Sequence, residues 1–248
     1  MTEPKNFNEL PVHPPRSRHY RYYDLLMVAF VTVLLCSNLI GPGKSCAVPF
    51  AGSTLVFGAG NIFFPISYIF GDVLTEVYGF ARARKVIWAG FAAMIFATLM
   101  SVIVIELPVN KNESYNAIIQ PALQTVFGNA WRIVVASMIA FWAGDFANSW
   151  VLARMKLWTK GRFLWTRTIG STVVGQGVDS ALFYPIAFAG LWSGQTLVEV
   201  VAFNWLFKVG VEVVMTPVTY AVVAFCKRAE GEDFFDTDTN FTPFSLRD

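Results

Sequence analysis

Two carboxylates, Asp72 and Glu76, stand four residues apart in the stretch Pro65-Ile-Ser-Tyr-Ile-Phe-Gly-Asp-Val-Leu-Thr-Glu-Val-Tyr-Gly79. That spacing puts both on one helix face, with Tyr68 a turn before Asp72 on the same face. Like charges at this spacing repel, so the pair requires a proton, a cation, a donor-rich ligand, or a Lys or Arg from another helix. Other apolar runs carry polar groups at helical spacing: Asn38, then Asp145 with Asn148, then Gln176 with Asp179, then Lys208 with Glu212. Lys208 and Glu212, one turn apart, are spaced to pair with each other. The set is rich in acceptors (Asp72, Glu76, Asp179, Glu212) and in amides that both donate and accept (Asn38, Asn148, Gln176). It suits a flat heterocycle with several N–H donors. A carboxylate takes two N–H groups of a guanine-like edge at once, and an amide or a lysine donates to the carbonyl.

Other chemistries fit worse. His13 and His19 both lie in the amino-terminal tail, so no metal site is expected. Gly43-Lys44-Ser45 looks like the end of a phosphate-binding loop, but Asn38 stands where the first glycine belongs. No nucleophile–base set falls within the apolar runs, and no enzyme is expected. Cys36, Cys46 and Cys226 make no C-x-x-C spacing and read as packing thiols.

The elements that hold these residues are membrane spans. Of 248 residues, 55% are hydrophobic and 15% charged, against about 25% charged in soluble domains. Mean hydropathy is positive. Six apolar runs are long enough to span or nearly so: 25–40, 62–79, 86–105, 133–152, 168–192 and 198–226. The reading is an all-α membrane protein, a six-transmembrane-helix bundle. Between the first two runs, residues 44–60 are glycine-rich and partly alternating, which predicts a short hairpin or re-entrant segment. The connection 106–129 carries a modest amphipathic stretch, an interfacial helix. Pro185 and Pro217 interrupt the last two spans. Residues 1–23 form a polar tail, 24–227 the membrane domain, and 228–248 an acidic tail expected to be disordered.

Basic residues orient the bundle. Lys5, Arg16, Arg18 and Arg21 precede the first span, and Arg82, Arg84 and Lys85 follow the second. Arg154, Lys156, Lys160, Arg162 and Arg167 join the fourth to the fifth, and Lys227, Arg228 and Arg247 follow the sixth. With six alternating spans these fall on one side, which places both termini in the cytoplasm. The six charged residues within the spans, Asp72, Glu76, Asp145, Asp179, Lys208 and Glu212, each cost roughly 2.5–3.5 kcal/mol in hydrocarbon, so they should face a shared interior.

The stretch Pro65–Gly79 resembles the signature of the bacterial queuosine precursor transporters, small six-span proteins also called the vitamin uptake transporter family. Ser37-Asn38 followed by Lys44, Asn148-Ser149 before Lys156, and Arg167 with Ser171-Thr172 are similar to the rest of that pattern. So are Gly175-Gln176, Asp179-Ser180, and Lys208 with Glu212 and Pro217. The resemblance covers about residues 24–226. It implies uptake across the bacterial inner membrane of 7-cyano- or 7-aminomethyl-7-deazaguanine for queuosine synthesis in tRNA. Asp72, Glu76, Tyr68, Asn38, Asn148, Gln176, Asp179, Lys208 and Glu212 are then the expected substrate-binding residues. Lys44 and Arg167 would lie near opposite mouths as gate or counter-charge. The expected partners are the small-molecule substrate and the bilayer, with no cofactor and no nucleic acid; so thin a bundle also leaves room for a homodimer. The rival reading is a substrate-binding membrane subunit of an ATP-driven vitamin-type transporter, since such subunits are also small six-helix proteins.

Overall fold

Apolar runs propagate as helix, here even through Pro121 and through Pro185 and Pro217, the two expected to interrupt the last two spans, and glycines and prolines between the runs mark the breaks. In a computed structural model that describes residues 20–40, 45–50, 53–58, 63–128 and 131–245, seven helices follow this rule. They are α1 (Tyr23–Leu39), α2 (Phe64–Tyr78), α3 (Phe80–Glu106), α4 (Asn116–Phe127), α5 (Trp131–Trp158), α6 (Leu164–Phe188) and α7 (Gly194–Glu230). Between α1 and α2, strand β1 (Ser45–Phe50) pairs antiparallel with β2 (Ser53–Gly58), Val48 opposite Leu55. The helix α4 lies in the long connection and hangs from α3 by a bond from Gln120 Nε2 to the Ile105 carbonyl.

Two helices, α3 and α7, are long and apolar enough by themselves to cross a membrane. The helix α1 is apolar but has 17 residues, and α2 has 15. The helices α5 and α6, at 28 and 25 residues, are long enough but less apolar. Hydropathy taken helix by helix therefore marks two of the six expected spans.

The direction of each helix is set by the contacts at its ends. Tyr23 at the start of α1 donates to the Arg82 carbonyl at the start of α3. Tyr78 at the end of α2 donates to Glu230 at the end of α7. Lys156, near the end of α5, and Arg167, near the start of α6, both reach Glu76. At the opposite end, Arg132 near the start of α5 donates to the carbonyls of Ile186 and Ala189 at the end of α6. So α1, α3 and α6 begin where α2, α5 and α7 end.

A single residue, Gly79, separates α2 from α3. Its φ of 86° and ψ of 166° belong to backbone that only glycine adopts readily. Arg82, Arg84 and Lys85, read from sequence as a loop, accordingly lie in the first turns of α3.

The helices α5 and α6 cross closely because both present glycine at the crossing. A Cβ built on Gly175 would lie 2.7 Å from the Asn148 Cβ and 2.9 Å from the Gly144 carbonyl oxygen. This crossing sets Asn148 beside Gln176 and is the small-residue packing typical of helices in lipid. Substituting Gly175→Leu should abolish monodisperse, folded protein in detergent size-exclusion chromatography. Gly210→Ala should be tolerated, because a Cβ there meets nothing within 4 Å.

Candidate functional site

Glu76 has no solvent exposure. Arg167 grips it with two nitrogens, Nε to Oε2 at 3.1 Å and Nη2 to Oε1 at 2.7 Å. Lys227 donates to Oε1 at 2.7 Å, and the Lys156 ammonium stands 3.6 Å away while donating to the Glu76 carbonyl at 2.6 Å. Asp233, beyond α7, bridges the two lysines at 2.5 and 2.8 Å. Three cations from α5, α6 and α7 thus surround two carboxylates. Arg167, expected near one mouth as gate or counter-charge, is buried in this cluster as a counter-charge to Glu76, and it also donates to Thr159 and to the Arg162 carbonyl.

One turn along α2 the situation reverses. Asp72 is fully buried, yet Oδ1 accepts a single bond, from Asn148 Nδ2 at 3.2 Å, and Oδ2 accepts none. Asn148 Oδ1 is also unpartnered among the described residues, as are Ser180 Oγ and both oxygens of Glu212. Glu212 and Asp145 lie within electrostatic reach of Asp72. Four helices, α2, α5, α6 and α7, therefore deliver buried acceptors to one interior with few donors to meet them. Buried polar atoms in native proteins are normally bonded, so this concentration requires a reason.

The expected Lys208–Glu212 pairing is replaced by one between helices. Lys208 Nζ donates to Asp179 Oδ2 at 2.6 Å, and no hydrogen bond reaches either Glu212 oxygen. Lysine preceding glutamate is the less favourable order for an i, i+4 pair, and Asp179 on α6 lies within reach of Lys208. Asn38 is also placed differently: its amide bonds the Leu34 carbonyl and Ser37, and its oxygen accepts from Ser137. It ties α1 to α5 rather than joining Asp72. Lys44 and the side chain of Tyr68 lie outside the described residues.

Beside Asn148 runs a narrow cavity of about 10 Å³, lined by Gly71, Asp145, Asn148, Ser149 and Gln176 among others. Such a space admits about one water molecule. Its wall is held by a bond from Thr75 Oγ1 to Ser149 Oγ at 3.1 Å. Asp72 is joined to the cavity through Asn148, and buried Gln176 faces it from α6. Among the described residues no group of three or more His, Cys, Asp or Glu is arranged to hold a metal.

The carboxy-terminal segment, expected as a disordered acidic tail, is packed down instead. Phe234 donates to the Val77 carbonyl and covers Gly79 so closely that a Cβ there would lie 2.3 Å from its ring. Both oxygens of Asp236 accept the Phe80 N–H, at 3.0 and 3.1 Å, and cap α3 from a distant part of the chain. Arg84 holds the carbonyls of Asn240 and Thr242, and Trp88 holds that of Pro243. Phe241 lies against Phe80, and Phe244 against Trp88 and Trp142. Burial raises the Asp233 carboxyl, but the bonds from Lys156 and Lys227 outweigh it and hold the group below its ordinary value. Burial pushes Asp236 up, against the bonds from Thr239 and Phe80.

Sequence reading missed Lys156, Lys227 and Asp233 as members of the charged cluster. For Lys156 a signal exists: it continues the buried stripe Ser149–Leu152–Lys156 along α5. Asp233 has no such signal, since it lies outside any periodic element.

Comparison with known proteins gives two matches. The family described as "Putative vitamin uptake transporter" matches residues 58–222. A protein of Bacillus subtilis (strain 168) named "Probable queuosine precursor transporter" is 30% identical over 164 residues, 65% of this chain and 69% of that protein. No solved structure matches.

The two carboxylates of α2 should respond differently to neutralisation. Glu76→Gln leaves Arg167 buried without the carboxylate that meets its charge, which costs about 3–5 kcal/mol. A marked fall in Tm is expected. Asp72→Asn removes a charge that no cation meets, and Tm should hold or rise. Thermal unfolding of both variants in one detergent checks the difference; equal losses would show that Asp72 too is a structural charge.

Proposed function

The chain belongs to the vitamin uptake transporter family, and on that premise we propose that it imports queuosine precursors, 7-cyano- and 7-aminomethyl-7-deazaguanine, across the bacterial inner membrane. The observation that carries this reading is the cluster of buried, unpartnered acceptors around Asp72. Asp72 Oδ2 and Asn148 Oδ1 belong to hydrogen-bonded neighbours and form a pair of acceptors. A guanine-like edge presents two N–H donors to such a pair, and the Gln176 amide is placed to donate to its carbonyl. The relative from Bacillus subtilis carries a name that specifies a queuosine precursor as cargo.

Six membrane spans are the architecture we propose for this transporter. The alternation of α1, α2, α3, α5, α6 and α7 supports it, because each begins at the end where the one before it stops. In the apolar windows of α3 and α7 only 22% and 28% of residues are buried. A soluble protein would hide such helices in its core, whereas here Phe96, Leu99, Phe203, Leu206 and Val214 face outward, as lipid contact requires. The Glu76 end carries the basic residues of α3, α5, α6 and α7, so it is cytoplasmic by the positive-inside rule, and both termini lie on that side. The mostly exposed α4 then lies at the opposite interface.

The cavity beside Asn148 holds no more than about one water, so a purine-sized ring enters only when the helices part. The charged cluster of Glu76 closes the cytoplasmic side of the bundle in this conformation. Transport then alternates between this closed arrangement and one in which α2 and its partners separate.

Uptake of labelled precursor into cells that cannot make it tests the proposal. Expression of the protein should confer uptake. Asp72→Asn, Asn148→Ala and Gln176→Ala, each expressed at wild-type level, should lower the rate about tenfold or more, as loss of a buried hydrogen bond to substrate implies. Absence of uptake by the unaltered protein would reject the substrate assignment.

A further inference from the structure

The charges within the bundle do not balance, and the imbalance has a chemical consequence. Asp145 and Glu212 lie within electrostatic reach of Asp72, and Asp179 lies within reach of Asp145. Among the described residues one ammonium, Lys208, stands with them, and it is bonded to Asp179 at 2.6 Å. The remaining cations that face this region, Arg167, Lys156 and Lys227, lie one turn toward the cytoplasm and are bonded to Glu76 and Asp233. Arg84 of α3 holds the carbonyls of Asn240 and Thr242 in the carboxy-terminal segment.

The unpartnered oxygens divide into two groups. Asp72 Oδ2 and Asn148 Oδ1 form the acceptor pair described above. Among the described residues no hydrogen bond reaches either oxygen of Glu212, which is 1% exposed. A carboxylate in that condition has free lone pairs to accept one or two of the N–H bonds of a primary ammonium and a charge to meet its own. A nitrile offers the reverse: a neutral group whose nitrogen is itself an acceptor, set against a buried negative charge.

We infer that the site selects cationic heterocycles, with a donor edge on Asp72 and Asn148 and a primary ammonium on Glu212, and so prefers the 7-aminomethyl precursor to the 7-cyano one. This rests on the functional reading above and adds to it a specificity-determining residue. Glu212 supplies the discrimination, and Asp72 with Asn148 supplies the recognition common to both precursors.

The experiment is equilibrium binding to the full-length protein in nanodiscs at neutral pH. The ligands are the 7-aminomethyl compound, the 7-cyano compound and the 7-hydroxymethyl analogue, a neutral isostere of the amine. The aminomethyl ligand should bind about tenfold or more tighter than either neutral one, as a buried charge-assisted bond implies. In Glu212→Gln that ratio should fall toward one. Equal or tighter binding of the neutral ligands by the unaltered protein overturns the inference, and so does an unchanged ratio in Glu212→Gln. If Glu212→Gln does not fold, the comparison of amine with hydroxymethyl isostere on the unaltered protein decides alone. Binding of none of the three rejects the substrate assignment itself and the inference with it, whereas a preference for the nitrile rejects the inference and leaves that assignment standing.

Discussion

A carboxylate with no solvent exposure is tolerable only where its charge is met, and Glu76 meets that condition through three helices at once. Arg167 comes from α6, Lys156 from α5 and Lys227 from α7. Each of these side chains is long, and each could serve another carboxylate if its helix moved. The cluster therefore fixes the relative positions of α2, α5, α6 and α7 at one end of the bundle. Removing one partner strands the others in a medium where an unmet charge costs several kcal/mol. The carboxy-terminal segment depends on the same cluster, because Asp233 is held by two of its lysines.

That segment also explains the junction between α2 and α3. A helix that ends and restarts across one residue leaves carbonyls and N–H groups to be satisfied from outside. Gly79 supplies the backbone conformation, Asp236 accepts the first N–H of α3, and Phe234 covers the glycine. The reason a glycine stands there is thus double: the φ angle excludes a side chain, and the aromatic ring above it leaves no room for one.

Asp72 shows the opposite solution one turn away. It is as buried as Glu76, yet among the described residues it receives one amide bond and no bond from a cation. A protein that can surround Glu76 with cations but leaves Asp72, Glu212 and Asn148 under-bonded concentrates its unmet buried acceptors in one interior. Functional sites are where such local conflicts are kept, because the missing partner arrives with the ligand.

The helical class, the short hairpin segment after α1 and the polar character of α2 are legible in the sequence, since apolar runs, glycine-rich breaks and i, i+4 spacing are local properties of the chain. So is the motif that places the protein in its family, Pro65–Gly79. Which cation meets which carboxylate is not legible. Lys208 is one turn from Glu212 in sequence but bonds Asp179 on α6, because adjacent helices bring side chains together head-on across their interface. Asp72 and Glu76 look equivalent on one helical face, and only the neighbours separate them: α5, α6 and α7 place basic residues opposite Glu76 and an amide opposite Asp72. The tail was read as disordered from its polarity, but its aromatic residues, Phe234, Phe241 and Phe244, find rings and a glycine to pack on only once α2, α3 and α5 are assembled. Sequence by itself determined what each helix carries. Tertiary structure decided which buried carboxylates meet a cation and which do not among the described residues, because pairing energies depend on distances between helices that no local pattern encodes.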